Sequence, residues 1–208
     1  MEIVLDKVSK RYQKYWIFRN VDYRFAQGGR YAILGPNGSG KSTLLRIMCG
    51  MLAPSAGKVF WEIESGKVID SSGIFKNVSF CSPGLELVEE MNLEEFLQFH
   101  FSFKTMTPGL SIKELIELSG LGASKTKLIA DYSSGMKQRV KLIQAIFSDV
   151  PVLLLDEPCT NLDQKGVDEY NAWIQAYCRH KTVIVASNDA KEYGFCNTLL
   201  DINNYKTS

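Results

Sequence analysis

The stretch Gly35-Pro36-Asn37-Gly38-Ser39-Gly40-Lys41-Ser42-Thr43 constrains this chain more than any other. It satisfies the pattern G-x-x-x-x-G-K-[ST] at every specified position. The apolar run Tyr31-Ala32-Ile33-Leu34 precedes it, and Thr43-Leu44-Leu45-Arg46-Ile47-Met48 follows with helical character. A strand, a glycine-rich turn and a helix, in that order, make a cradle for phosphate. Glycines let backbone N–H groups converge on phosphate oxygens where a Cβ would block the approach. The helix N-terminus adds partial positive charge and free amide donors. Lys41 has the reach to meet β- and γ-phosphates, and the Ser42 hydroxyl is a ligand for Mg²⁺. The pattern predicts a nucleoside triphosphate site built from Asn37, Gly38, Ser39, Gly40, Lys41, Ser42 and Thr43.

Composition narrows the partners. At 208 residues, with 45% hydrophobic and 23% charged residues, the chain has room for one globular domain with a sizeable insertion. A net charge of +1 gives no electrostatic reason to expect nucleic acid as a partner. No apolar run approaches the ~20 residues needed to span a bilayer. Met1-Glu2-Ile3-Val4-Leu5-Asp6 carries acids among its apolar residues and no basic leader, so it does not read as a signal peptide. A membrane role would come through a partner. The five cysteines show neither metal-ligand nor C-x-x-C spacing and read as reduced, mostly buried thiols.

Hydrophobic patterning divides the chain. Ile3-Val4-Leu5 and Val21 to Phe25 read as strands around a loop at 11–20, and Lys58 to Ile63 and Asn77 to Phe80 as further strands. Beyond Ser82-Pro83-Gly84 the period changes. Leu93, Phe96, Leu97 and His100 have helical spacing, Leu110 to Leu118 carries a second helical pattern, and a third helix should start at Ser133-Ser134. The aromatic run through Phe99, Phe101 and Phe103 predicts at least one exposed ring. Val152 to Leu155 and Thr182 to Ala186 then read as buried strands, separated by a helix over 164–180, and Thr198 to Ile202 as a last strand. The predicted architecture is a single α/β domain over 1–208. Its core, 1–83 and 149–208, has a mixed sheet, and a helical subdomain is inserted at 84–148.

Two further motifs carry chemistry. Val152-Leu153-Leu154-Leu155 ends in Asp156-Glu157. At the exit of a buried strand the first acid holds Mg²⁺, and the second orients or deprotonates an attacking water. Tyr132-Ser133-Ser134-Gly135-Met136-Lys137-Gln138-Arg139 sets hydroxyls and a glycine at a helix start. Such a start can bind anions, although by itself it reads first as a plain N-cap before a basic, solvated face.

In this order the three motifs resemble those of the ATP-binding cassette family, over essentially the whole chain. Gly35 to Thr43 is similar to its Walker A loop, Leu153 to Glu157 to its Walker B strand with the catalytic glutamate, and Ser133-Ser134-Gly135 to its signature. Asn161-Leu162-Asp163 is similar to the D-loop. Tyr12 falls where the family stacks an aromatic on adenine, with Tyr15 and Trp16 as competitors. The resemblance implies an ATPase of the phosphate-loop fold, using ATP and Mg²⁺ with Lys41 and Glu157 in catalysis. It implies that two copies dock head to tail, Ser133 and Gly135 of one capping the phosphate held by Lys41 of the other. It further implies an integral membrane permease subunit as partner, in an exporter-type assembly, and a place on the cytoplasmic face of the membrane.

Two positions depart from the family. Asn188 stands where a histidine contacts the γ-phosphate. Ser82 stands where a longer glutamine binds Mg²⁺, so Ser82 joins Ser42 and Asp156 in the implied metal set. Both departures imply slow basal hydrolysis. They keep open a cassette that binds ATP as a switch, or forms the weaker half of a heterodimer. A soluble cassette acting outside transport is a further alternative, although the stretch from Lys41 to Ser133 has no room for the long coiled-coil insertion of such relatives.

Overall fold

A computed structural model of the chain describes residues 1–63 and 67–206. The strands, in chain order, are β1 (Glu2–Tyr12), β2 (Tyr15–Phe25), β3 (Arg30–Leu34), β4 (Ala56–Glu62), β5 (Val78–Cys81), β6 (Val152–Asp156), β7 (Thr182–Ala186) and β8 (Thr198–Asp201). The α-helices are α1 (Lys41–Met48), α2 (Leu93–Phe103), α3 (Ile112–Leu118), α4 (Ser134–Ile146), α5 (Gln164–Tyr177) and α6 (Ala190–Tyr193). The chain divides into two compact units. The first is Met1–Phe80, Pro151–Asp156 and His180–Ser208; the second is Cys81–Val150 and Glu157–Arg179. The helical stretch 84–148 lies within the second unit, which also takes in α5. Residues 207 and 208, at the end of the expected 149–208 half, lie outside the described residues.

In the first unit the strands form two sheets rather than one: a three-stranded sheet, β2-β1-β4, and a five-stranded one, β5-β6-β7-β3-β8. The pairs β1/β2 and β1/β4 are antiparallel, whereas β6/β7, β7/β3 and β3/β8 are parallel. The loop expected at 11–20 is instead strand. Tyr12 pairs with Tyr15, so the turn needs only Gln13, at φ 53, and Lys14. Register shifts between Leu5 and Val8, Val8 and Lys10, and Lys10 and Arg11 hide the strand signal, because each bulge resets which side chains face inward. Phe18, Phe25, Leu44, Leu45, Met48, Leu154, Ile184 and Ile202 pack into one core at 0% exposure except for partly buried neighbours at its rim.

Both central strands, β6 and β7, are buried along their whole length, as their unbroken apolar runs require. Their register positions the site. Ile33 pairs with Ala186 on one side and Leu200 on the other, and Asp156 pairs with Ala186. The C-terminal ends of β3, β6 and β7 therefore finish level, the edge at which parallel α/β sheets hold ligands.

The second unit is helical, and its helices start at side-chain caps. Asn92 and Glu95 form a reciprocal capping box on α2, and Ser111 with Glu114 forms another on α3. The Ser111 cap is why α3 starts at Ile112 and not at Leu110. Asp163 caps α5, which ends at Tyr177, short of His180. Leu93, Phe96 and Leu97 are buried on α2, and the Phe147 ring packs against Trp173 at 6.0 Å and Tyr177 at 4.7 Å. Phe99 and Phe103 are exposed and meet edge-on at 5.2 Å, while Phe101 is half-buried.

Candidate functional site

In the first unit, β3 runs into the glycine-rich turn and the turn into α1. Gly40 sits at the N-cap of α1 with φ 106, and no side chain caps that end. Lys41 is buried, and its ammonium donates to the carbonyls of Gly35 (2.6 Å) and Pro36 (3.3 Å), curling back along the loop it serves. The Ser42 hydroxyl donates to Asp156 Oδ1 at 2.9 Å. That contact joins the start of α1 to the end of β6, across 114 positions of sequence. Asn188, just beyond β7, reaches the same loop. Its Oδ1 accepts from the Gly35 N–H (3.3 Å), and its Nδ2 donates to Asn37 Oδ1 (3.4 Å).

These residues suit a magnesium–nucleotide. Ser39 Oγ is buried within the loop with no hydrogen-bond partner. A buried hydroxyl left unmatched costs about 1–3 kcal/mol and is a natural place for a phosphate oxygen to settle. The Ser42 hydroxyl and the Asp156 carboxylate are hard oxygen donors held side by side, the chemistry Mg²⁺ prefers. Among the described residues no group of three His, Cys, Asp or Glu could hold a metal. A metal at Ser42 and Asp156 would therefore draw its other ligands from phosphate and water, as Mg²⁺ commonly does. Gly38 and Thr43 complete the turn and the first helical turn.

Tyr12 and Tyr15 stand exposed where β1 turns into β2, at 50% and 77%. Lys10 lies over the Tyr12 ring at 5.3 Å, and Arg11 and Arg19 flank Trp16. Trp16 is thus engaged by two cations and Tyr12 by one, while Tyr15 is the more exposed of the two tyrosines.

The second unit holds the other expected residues. Ser133 caps α4, its Oγ accepting from the Met136 N–H at 3.3 Å. Gly135 is a glycine for steric reasons: a Cβ there would lie 2.8 Å from the carbonyl oxygen of Asn161. Asn161 is itself in the left-handed region at φ 64. Gln138 Nε2 donates to the Pro158 carbonyl at 2.6 Å, a second tie between α4 and the segment after Glu157. Neither contact has a local signature in the sequence. Glu157 follows Asp156 directly in the chain, at φ 43, a strained conformation for a side-chain-bearing residue. Ser82 is buried.

The basic face of α4 is not the solvated face that its composition suggested. Lys137 pairs with Glu89 at 2.6 Å, and Lys141 donates to the Pro83 carbonyl at 2.6 Å. Arg139 binds the Ser119 carbonyl at 3.2 Å and makes a short bond to Glu169. Burial also pushes the Lys141 ammonium below the usual lysine range.

Comparison with known proteins identifies the family. The family model described as ABC transporter matches residues 18–160. "Uncharacterized ABC transporter ATP-binding protein YybJ" of Bacillus subtilis (strain 168) is 29% identical, over 94% of this chain and 90% of its own length. "Sulfate/thiosulfate import ATP-binding protein CysA" of Thermosynechococcus vestitus is 31% identical over 92% of this chain, which spans only 58% of that relative. Among solved structures, an ATP-binding cassette bound to ADP and Pi superposes with a TM-score of 0.82 at 21% identity, covering 96% of this chain and 93% of that one.

Proposed function

This chain belongs to the ABC transporter family as an ATP-binding member, and from that premise we propose that it hydrolyses ATP to drive an integral membrane partner. The Ser42–Asp156 contact carries the reading, because it sets a hydroxyl and a carboxylate together at the foot of the phosphate loop. Ser42 and Asp156 would hold Mg²⁺, which would supply charge neutralisation at the phosphates.

The roles of the residues follow from their chemistry. Lys41 exchanges its two carbonyl acceptors for β- and γ-phosphate oxygens, and the loop from Asn37 to Thr43 supplies amides, with Ser39 adding its hydroxyl. Tyr12 stacks on the base. Glu157 orients the attacking water and accepts its proton. Ser133 uses a lone pair to cap its own helix, which leaves its O–H proton to donate to the phosphate of an opposing copy. Gly135 lets that helix start close to the backbone. Ser82 would assist the metal, with less reach than a longer amide. Two copies closing on two nucleotides, or one copy with a different cassette, would move the membrane subunit from its cytoplasmic face. The named relatives include an import protein, so sequence likeness does not favour an exporter.

Replacing Glu157 with Gln keeps shape and removes the base. Gel filtration of Glu157→Gln with Mg-ATP should show a dimer that the wild type forms only transiently. A mutant that hydrolyses ATP at the wild-type rate would overturn the catalytic assignment.

A further inference from the structure

Asn188 has both ends of its amide committed to the phosphate loop. The Gly35 N–H can only donate, so the amide oxygen must face it, and this turns Nδ2 onto Asn37 Oδ1. The two contacts straddle Pro36. Backbone register brings Asn188 there: Ala186 pairs with Ile33, and the Ser187 N–H donates to the Ile33 carbonyl at 3.3 Å. The residue after Ser187 is thereby delivered to the mouth of the loop.

Gly35 is the point on which these contacts converge. Asn188 holds its amide and Lys41 its carbonyl. Its Cα is walled in, since a methyl built there would lie 2.6 Å from Ile202 Cγ2 and 2.8 Å from Ser39 Oγ. When Lys41 turns to a phosphate the Gly35 carbonyl gives up its tie to Nζ, while Asn188 still holds the amide. The same Asn37 that Asn188 orients opens the run of loop residues whose backbone amides are assigned to the phosphates.

We propose that Asn188 is a positioning residue for the phosphate loop, holding Gly35 and Asn37 in their binding arrangement, and not a sensor of the terminal phosphate. The inference rests on the reading of this loop as the nucleotide site. It separates two roles that differ in what they recognise. A γ-phosphate sensor acts on ATP and is indifferent to ADP. A clip on the loop acts on both nucleotides alike, because both place their β-phosphate in the turn.

The test is calorimetric titration of the full chain with Mg-ATP and Mg-ADP, in the wild type and in Asn188→Ala, Asn37→Ala and the double variant. Asn188 is exposed, so its truncation leaves the core intact, and thermal melting checks that. Asn188→Ala is expected to weaken ATP and ADP by the same factor, roughly three- to tenfold for two neutral hydrogen bonds. The double variant should bind little worse than Asn188→Ala, since the contacts share one amide. In the nucleotide-free protein, the Gly35 amide should exchange its hydrogen faster in Asn188→Ala. A loss confined to ATP would make Asn188 a phosphate sensor and overturn the proposal, as would unchanged affinity for both nucleotides or unchanged Gly35 exchange. Lys41→Ala, titrated in parallel, keeps the failures apart. If it binds both nucleotides normally, the nucleotide-site reading falls and the clip with it. If it loses them while Asn188→Ala does not, the clip alone falls.

Discussion

Helices α1 and α4 both begin in small residues and both were expected to face phosphate, yet their first turns are built differently. Gly40 leaves the start of α1 without a side-chain cap, whereas Ser133 closes the start of α4 with its own hydroxyl. Around α1 the polar groups gather at the glycine-rich turn: Lys41 on loop carbonyls, Ser42 on Asp156, and Ser39 Oγ with no partner. Around α4 the cations are spent on protein, Lys137 on Glu89, Arg139 on Glu169 and Lys141 on Pro83. On the proposed reading the first arrangement is the nucleotide's own cradle. On the same reading the second is a mount for the Ser133 hydroxyl and the backbone at Gly135, the groups proposed to complete another copy's site.

Arg139 tests the mount most severely. Its side chain is 14% exposed, and the guanidinium serves Ser119, Glu169 and, at 3.9 Å, Asp163. Arg139→Ala leaves the Ser119 carbonyl unmatched and Glu169 with Lys165 alone, at 3.8 Å, and should cost about 2 kcal/mol of stability by urea titration. Arg139→Lys should recover only part of it, because an ammonium lacks the planar fork. A cost below about 1 kcal/mol would place these ties with ordinary surface ion pairs and break the contrast.

A smaller effect sharpens the contrast through pH. The Ser148 hydroxyl donates to the Gln144 carbonyl at 2.6 Å, so His100 Nε2, 3.0 Å away, must be the donor to Ser148 Oγ. Burial first, and Lys104 second, push the His100 pKa down to about 4, with a hydrogen bond to the Gln144 backbone opposing them. The unfolded chain protonates this ring near pH 6.5, and the folded chain does not until about pH 4. Stability is therefore full above pH 6.5 and falls as pH drops through that window, by about 2 kcal/mol at pH 5. The difference between wild-type and His100→Gln denaturation profiles should carry this slope. Identical profiles would contradict it.

The sequence shows the phosphate loop, both buried strands and the Ser133 cap plainly, because each is local. A fixed motif, an unbroken apolar run or a hydroxyl before a helical pattern needs no distant partner. The hairpin from Tyr12 to Tyr15 is hidden in the sequence because bulges near Lys7 and Lys10 scramble the two-residue period. The ties of α4 were invisible for another reason. Glu89 and Glu169 lie 48 and 30 positions from their cations, and Gly35 lies 153 from Asn188, so only the fold pairs them. The close approach of Asn161 to Gly135 belongs to the same class: the glycine was legible, the carbonyl it accommodates was not.

Titration of Mg-ATP into wild-type protein and Lys41→Ala, followed by calorimetry, tests the central claim most directly. Lys41 places its charge inside the loop, and a charge-assisted hydrogen bond of this kind is worth about 1.5–3 kcal/mol. The wild type should bind one nucleotide per chain, and Lys41→Ala should bind it roughly ten- to a hundredfold more weakly. Equal affinity in the two proteins would contradict the account, because ATP would then not be held by this loop.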